Sequence, residues 1–244
     1  MTPSDGQEAP DRGLLSRITG MIVAPGETLR SVLRFPRPAS ILFVVCAVLA
    51  AATVAPQLTA RGRRAAVDMQ VQQIERVTGQ PVAPAMYERI EQQAAGVGRW
   101  FAVLGIFVGV PVATVFFSAL YWATFNILLG RTAAFKQVLG IVAHSQVVTA
   151  LGAVLSAPFQ LLDQMPNPGG PFSFVSLAPM LDPESYPAAV LATLNVFTVW
   201  AAVVTGIGLA LLYRRRLAPV VTALLLFQVG VTAFVVALPF LFRR

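Results

Sequence analysis

Charge is scarce in this sequence. Asp, Glu, Lys and Arg make up 12% of its 244 residues, against about a quarter in an ordinary soluble domain. Hydrophobic residues make up 56%, so a soluble globular domain is excluded and a membrane protein is expected. Cysteine is almost missing. Cys46 stands alone inside an apolar run, which rules out a disulfide within the chain and reads as a small buried hydrophobe. His144 is the single histidine. One histidine and one cysteine cannot supply the three or four ligands a metal site needs. Enzyme signatures are missing as well: there is no H-E-x-x-H, no G-x-S-x-G, no phosphate-cradling glycine loop and no pair of intramembrane aspartates. The sequence therefore predicts no catalytic residue, no metal and no cofactor.

What is present is a basic excess, a formal net charge of +7, carried by arginine at every cationic position except Lys136. Most of these arginines border apolar runs. That placement suits orientation in a bilayer and contact with anionic head groups, not nucleic acid. The first 38 residues are polar and broken by Pro and Gly, without the early apolar core of a secretory signal. The first membrane span is thus expected to direct insertion.

Five charge-free apolar runs follow, at about 39–56, 100–129, 138–162, 188–213 and 217–242. Each is near the roughly 20 residues a bilayer requires, and the second is longer, so it should tilt, protrude or kink at Pro111. Only helices that satisfy their own backbone can cross lipid in this way. The fold class is therefore all-α: a polytopic membrane bundle of five transmembrane helices. Residues 1–12 read as a disordered tail, 13–38 as an amphipathic interfacial segment broken at Pro25, and 39–242 as the membrane domain. In the interfacial segment Leu14, Ile18, Met21 and Ile22 form an apolar side, and Arg17, Arg30 and Arg34 are candidate contacts to the membrane surface.

Between the first two spans, residues 57–98 read as a helical hairpin. Val67, Val71, Ile74 and Val77 recur at helical spacing, and a second short helix carries Met86 and Ile90 after a Pro-rich turn. The short loops "GRTAAFKQ" and "RRR" are basic, whereas the Asp163–Pro187 loop has no cation. This predicts a cytoplasmic N-terminus and an outside C-terminus, although Arg61, Arg63 and Arg64 oppose it. Within the 163–187 loop, "FSFVSLAPML" is apolar enough to dip into the interface. The pentapeptide "VVTAL" occurs at 147–151 and again at 220–224. A true repeat of hairpins would favour a transporter; the lack of charged intramembrane residues does not.

Three polar residues interrupt the spans. Asn126, His144 and Asn195 are candidate intramembrane polar contacts. An amide in hydrocarbon must find a partner, so Asn195 is read as an interhelical contact that orients the fourth span, and Asn126 as an anchor beside Tyr121 and Trp122. His144 is read as a hydrogen-bonded packing residue, because a proton relay would need a second titratable group in the spans. Gly105 and Gly109 form a small-x-x-x-small pair for close helix packing, inside the chain or between copies. Phe197 and Trp200 are expected to pack around Asn195.

Several stretches resemble the Yip1-domain family of five-span membrane proteins, in its prokaryotic branch. "ITGMIVAPGETLRSVL" resembles the family's pre-membrane segment. "FNILLGRTAAFKQVLGIVAHSQVV" resembles its second span, basic turn and third span, and "LNVFTVWAAVVTGIGLALLYR" its fourth. The resemblance implies a cytosolic N-terminus and an opposite C-terminus. Eukaryotic members are tied to early secretory traffic and bind Rab-type GTPases. Their Tyr-Gly-Pro segment is absent here, so that activity is not carried over. The expected function is a non-enzymatic protein of the cytoplasmic (inner) membrane that organises lipid or scaffolds partners. Its expected partners are the bilayer and a membrane protein or a second copy, and not nucleic acid. The alternative is a small-solute transporter or channel lined by Asn126, His144 and Asn195.

Overall fold

The structure is a computed structural model, and it describes residues 13–130, 132–161, 172 and 185–242. The 1–12 tail and nearly all of the 163–187 loop, including its apolar stretch, lie outside the described residues. Ten helices occur among the described residues: α1 (Leu14–Val23), α2 (Pro25–Arg34), α3 (Pro38–Gln57), α4 (Ala60–Thr78), α5 (Pro84–Ala95), α6 (Gly98–Leu129), α7 (Phe135–Leu161), α8 (Tyr186–Thr193), α9 (Val196–Tyr213) and α10 (Leu217–Phe242). Five of them, α3, α6, α7, α9 and α10, are long and apolar enough to cross a membrane. The all-α, five-span bundle is the observed architecture.

Local sequence sets the helix boundaries. Pro25, Pro38 and Pro84 each sit in a first turn, where the missing N–H costs nothing. Glu27 lies in the first turn of α2 and Arg34 in its last, both aligned with the helix dipole. Thr59 caps α4 by accepting from the Gly62 N–H at 3.0 Å. Gly79 and Gly130 end α4 and α6 with φ of 69° and 58°, a left-handed turn that a residue without Cβ adopts freely. Helix α6 runs on through Pro111.

The core is organised around α7, which packs against α3, α6 and α9 and also meets α1, α2 and α4. Met21, Leu29, Ile41, Val138, Ile141, Val148 and Leu209 belong to one buried cluster. Close approach is made possible by small residues. A Cβ at Gly208 would overlap Ile141, and one at Gly152 would sit 2.6 Å from the Phe197 ring. These contacts draw α9 onto α7 along its length.

Three features of the helices bear on the sequence reading. The expected fourth span, 188–213, is two helices: α8 ends at Thr193 and α9 restarts at Val196. The Gly105–Gly109 pair does not pack inside the chain, since a Cβ at either position would meet nothing within 4 Å. Finally, the apolar side of α1 does not face lipid alone. Met21 is fully buried against the bundle, with Ile18 and Ile22 packed beside it, while Leu15 and Val23 stay exposed.

The 57–98 segment forms the hairpin α4–α5. Val67 and Ile90 are buried, but Met86 is exposed. Two contacts tie the hairpin together: the Tyr87 hydroxyl donates to Asp68 at 2.8 Å, and the Val82 N–H donates to Glu75 Oε1 at 2.9 Å. The Asp68 hydrogen bond holds the Tyr87 phenol above its ordinary pKa of 10.0, because the bond exists only while the phenol keeps its proton.

Candidate functional site: the basic end of the bundle

The start of α3, the end of α6, the start of α7, the end of α9 and the start of α10 meet at one end of the bundle, and α1–α2 dock there. Three hydrogen bonds fix that end. Gln137 Nε2 donates to the Leu33 carbonyl at 3.2 Å, which ties α7 to α2. The Tyr213 hydroxyl donates to Asn126 Oδ1 at 2.9 Å, which ties α9 to α6. The same Asn126 oxygen accepts from the Ala133 N–H at 3.2 Å and so closes the turn between α6 and α7. Tyr213 also stacks on Phe125, with centroids 5.3 Å apart. Asn126 is therefore a true helix-to-helix contact. Its partner Tyr213 was missed in the sequence.

Arg17 does not face outward. It is 2% exposed and donates to the Phe35 carbonyl at 3.0 Å, so it fastens α1 to the end of α2. A guanidinium reaches a main-chain carbonyl from the buried side of α1 because Met21, one turn on, pulls that face inward. Arg30 and Arg34 stay exposed, and so do Arg37, Lys136 and Arg214–Arg216 at the same end. Among the described residues of this end, Glu27 is the one exposed carboxylate. Exposed Leu14, Leu15, Val23 and Phe35 lie on the same α1–α2 layer. The surface thus combines many cations with scattered large apolar side chains, the composition of a segment that rests at head-group level.

The other two polar candidates lie elsewhere. Among the described residues, Asn195 makes no hydrogen bond to another helix. It is the N-cap of α9: its Oδ1 accepts from the Phe197 and Thr198 N–H groups, both at 2.9 Å, and Thr198 Oγ1 accepts from the Asn195 N–H at 2.8 Å. This reciprocal capping box explains the break after α8. Its signal, Asn followed three residues later by Thr before an apolar run, is present in the sequence. Trp200 is partly buried against the core and stacks near Phe197, with centroids 6.4 Å apart.

His144 is fully buried in α7. Its Nδ1 lies 2.7 Å from the Gly140 carbonyl. A carbonyl only accepts, so Nδ1 carries a proton. Nε2 is buried without a hydrogen-bond partner. Half of the ring is satisfied by its own helix and half is not, and no hydrogen bond joins His144 to Asn126 or Asn195.

The Yip1 domain, as a family, matches residues 19–238. The chain belongs to the Yip1-domain family. The match spans every membrane helix and most of the α1–α2 layer, and it does not assign a branch of the family. No curated protein and no solved structure matches the chain.

Proposed function

We propose that this Yip1-domain protein works without catalysis as an organiser of the membrane around it, with its N-terminal, basic end on the cytoplasmic side. The observation that carries this reading is the exposed set Arg30, Arg34, Arg37, Lys136 and Arg214–Arg216 beside exposed Leu14, Leu15, Val23 and Phe35. Cations at this level attract anionic lipid, each by about 1 kcal/mol near the surface. The apolar side chains set the depth. Anionic lipid gathered at this end, with the α4–α5 hairpin as a protein-facing surface, makes a scaffold.

Transport has weaker support. Asn195 is used up in a cap and Asn126 in a turn, which leaves His144 Nε2 as the single unpartnered group of the three. The test is the association of spin-labelled phosphatidylglycerol with the protein in phosphatidylcholine vesicles. Arg30→Gln, Arg34→Gln and Arg37→Gln together should markedly weaken the preference for the anionic lipid while the bundle stays folded. A preference that persists unchanged would refute the proposal. Deleting residues 13–34 is the poorer test, because it would strip Met21, Leu29 and Val32 from the core.

A further inference from the structure

At the opposite end, the start of α6 meets the end of α3 and the α4–α5 hairpin around a cavity of about 430 Å³. Its polar wall consists of three carboxamides, Gln57, Gln70 and Gln93, and one guanidinium, Arg99, with no acidic side chain. Arg99 Nε is buried and has no hydrogen-bond partner. The guanidinium carbon lies 5.7 Å from the Trp100 ring centroid, a contact that steadies a cation without supplying an acceptor to Nε–H. A buried N–H of a permanent cation left without an acceptor carries a desolvation penalty that an anion would relieve. Gln57 Nε2 already donates to the Thr53 carbonyl at 3.0 Å, so the amides of Gln70 and Gln93 are the donors best placed to assist Arg99.

A second cavity, of about 170 Å³, shares Gln57 and Ala66 with the first and is otherwise walled by Ala52, Thr53, Met69 and Ala153. A cationic, amide-lined compartment thus adjoins a nearly apolar one. The level in the membrane agrees. Trp100 and Phe101, next to Arg99, are 64% and 68% exposed, as aromatic side chains are at the border between lipid and water.

We infer that this pair of cavities binds one phospholipid by its phosphate. Arg99 and the amides of Gln70 and Gln93 hold the phosphate oxygens, and an acyl chain lies along Met69 and Ala153. The planar guanidinium suits a phosphate better than an ammonium would. This site uses none of the residues of the basic end, so it stands or falls separately from the proposed function.

The experiment uses the full chain in detergent, in a background where Arg30, Arg34, Arg37, Lys136 and Arg214–Arg216 are glutamine, so that lipid held at the basic end does not contribute. Short-chain phosphatidylglycerol and inorganic phosphate are titrated separately, and the melting temperature is followed. The lipid should raise it, and Arg99→Gln should weaken half-saturation by roughly tenfold, the effect of losing one charged hydrogen bond. Ala66→Leu, which fills the shared wall and leaves the guanidinium intact, should do the same. Both variants should melt normally without lipid, because neither side chain belongs to the buried core. Equal stabilisation by inorganic phosphate would make the site one for a free anion and overturn the lipid assignment. An unchanged response to lipid in both variants would overturn the site itself.

Discussion

Helices α6 and α7 are neighbours of similar kind in the sequence, and the fold treats them oppositely. In its most apolar window α7 is 61% buried, whereas α6 is 11% buried. Yet α6 is the more apolar of the two, and it carries the sequence's most obvious packing signal, Gly105 and Gly109. The difference teaches that apolarity tells a helix to cross the membrane but does not tell it where to stand. Lipid is as good a solvent for leucine as another helix is, so position is set by close backbone approach and by polar groups that need partners. Helix α7 has both: Gly140 against Pro36, Gly152 against Phe197 and Ile141 set into Gly208, and Gln137 bonded across to the Leu33 carbonyl of α2. Gly105 and Gly109 of α6 face open space.

The largest break in this comparison is steric. Gly208→Leu should force α9 away from α7 and cost about 3 kcal/mol or more, since overpacking of a close contact is relieved only by backbone shifts. Gly105→Leu and Gly109→Leu should stay within about 0.5 kcal/mol. Reversible unfolding of each variant in mixed micelles measures the contrast, and equal losses on the two helices would remove α7 from the centre of the account. Next comes His144. His144→Ala should lose about 2–4 kcal/mol through the cavity left behind, whereas His144→Leu should lose far less, because it fills the space and removes the orphan Nε2. The same unfolding assay separates the two. A smaller effect belongs to the break in the fourth span: Asn195→Ala should cost about 1 kcal/mol, as should Asn195→Leu, and hydrogen exchange should rise in the first turn of α9.

The smallest test lies outside the membrane, in the hairpin. The Tyr87 phenol has its folded pKa raised above the ordinary 10.0 by Asp68. A raised folded value means that the contact contributes fully below pH 10 and is lost as pH climbs through the folded pKa. Difference absorbance titration of the chain against Tyr87→Phe should therefore show this phenol ionising late, and Asp68→Asn should return it towards its usual value.

Much of the fold could be read from the residues because lipid imposes one strict rule, that backbone groups pair within a segment. The five spans, the break at Pro25 and the α4–α5 hairpin all follow from that rule and from turn residues. What could not be read depended on partners distant in sequence. Arg17 looks like a surface cation until Met21 turns its helix face inward. Tyr213 has nothing local to mark it, and its hydroxyl meets Asn126 87 residues away. Asn195 is a different case, since its capping box with Thr198 is local and was legible. Reading 188–213 as one uninterrupted span concealed it. Arg99 and its three glutamines come from four separate helices, and no linear pattern joins them.

The central claim is that α1–α2, docked on the bundle, holds its arginines at the surface of the same leaflet that meets the α9–α10 turn. Nitroxide labels at Arg34→Cys and Arg215→Cys, each in a Cys46→Ala background, test it in vesicles containing lipids with head-group-chelated nickel. Both labels should relax strongly and to a similar degree, as groups at head-group depth do. A label at position 34 that relaxes like one free in water, while the label at 215 responds, would show that the α1–α2 layer does not rest on the membrane and would contradict the account.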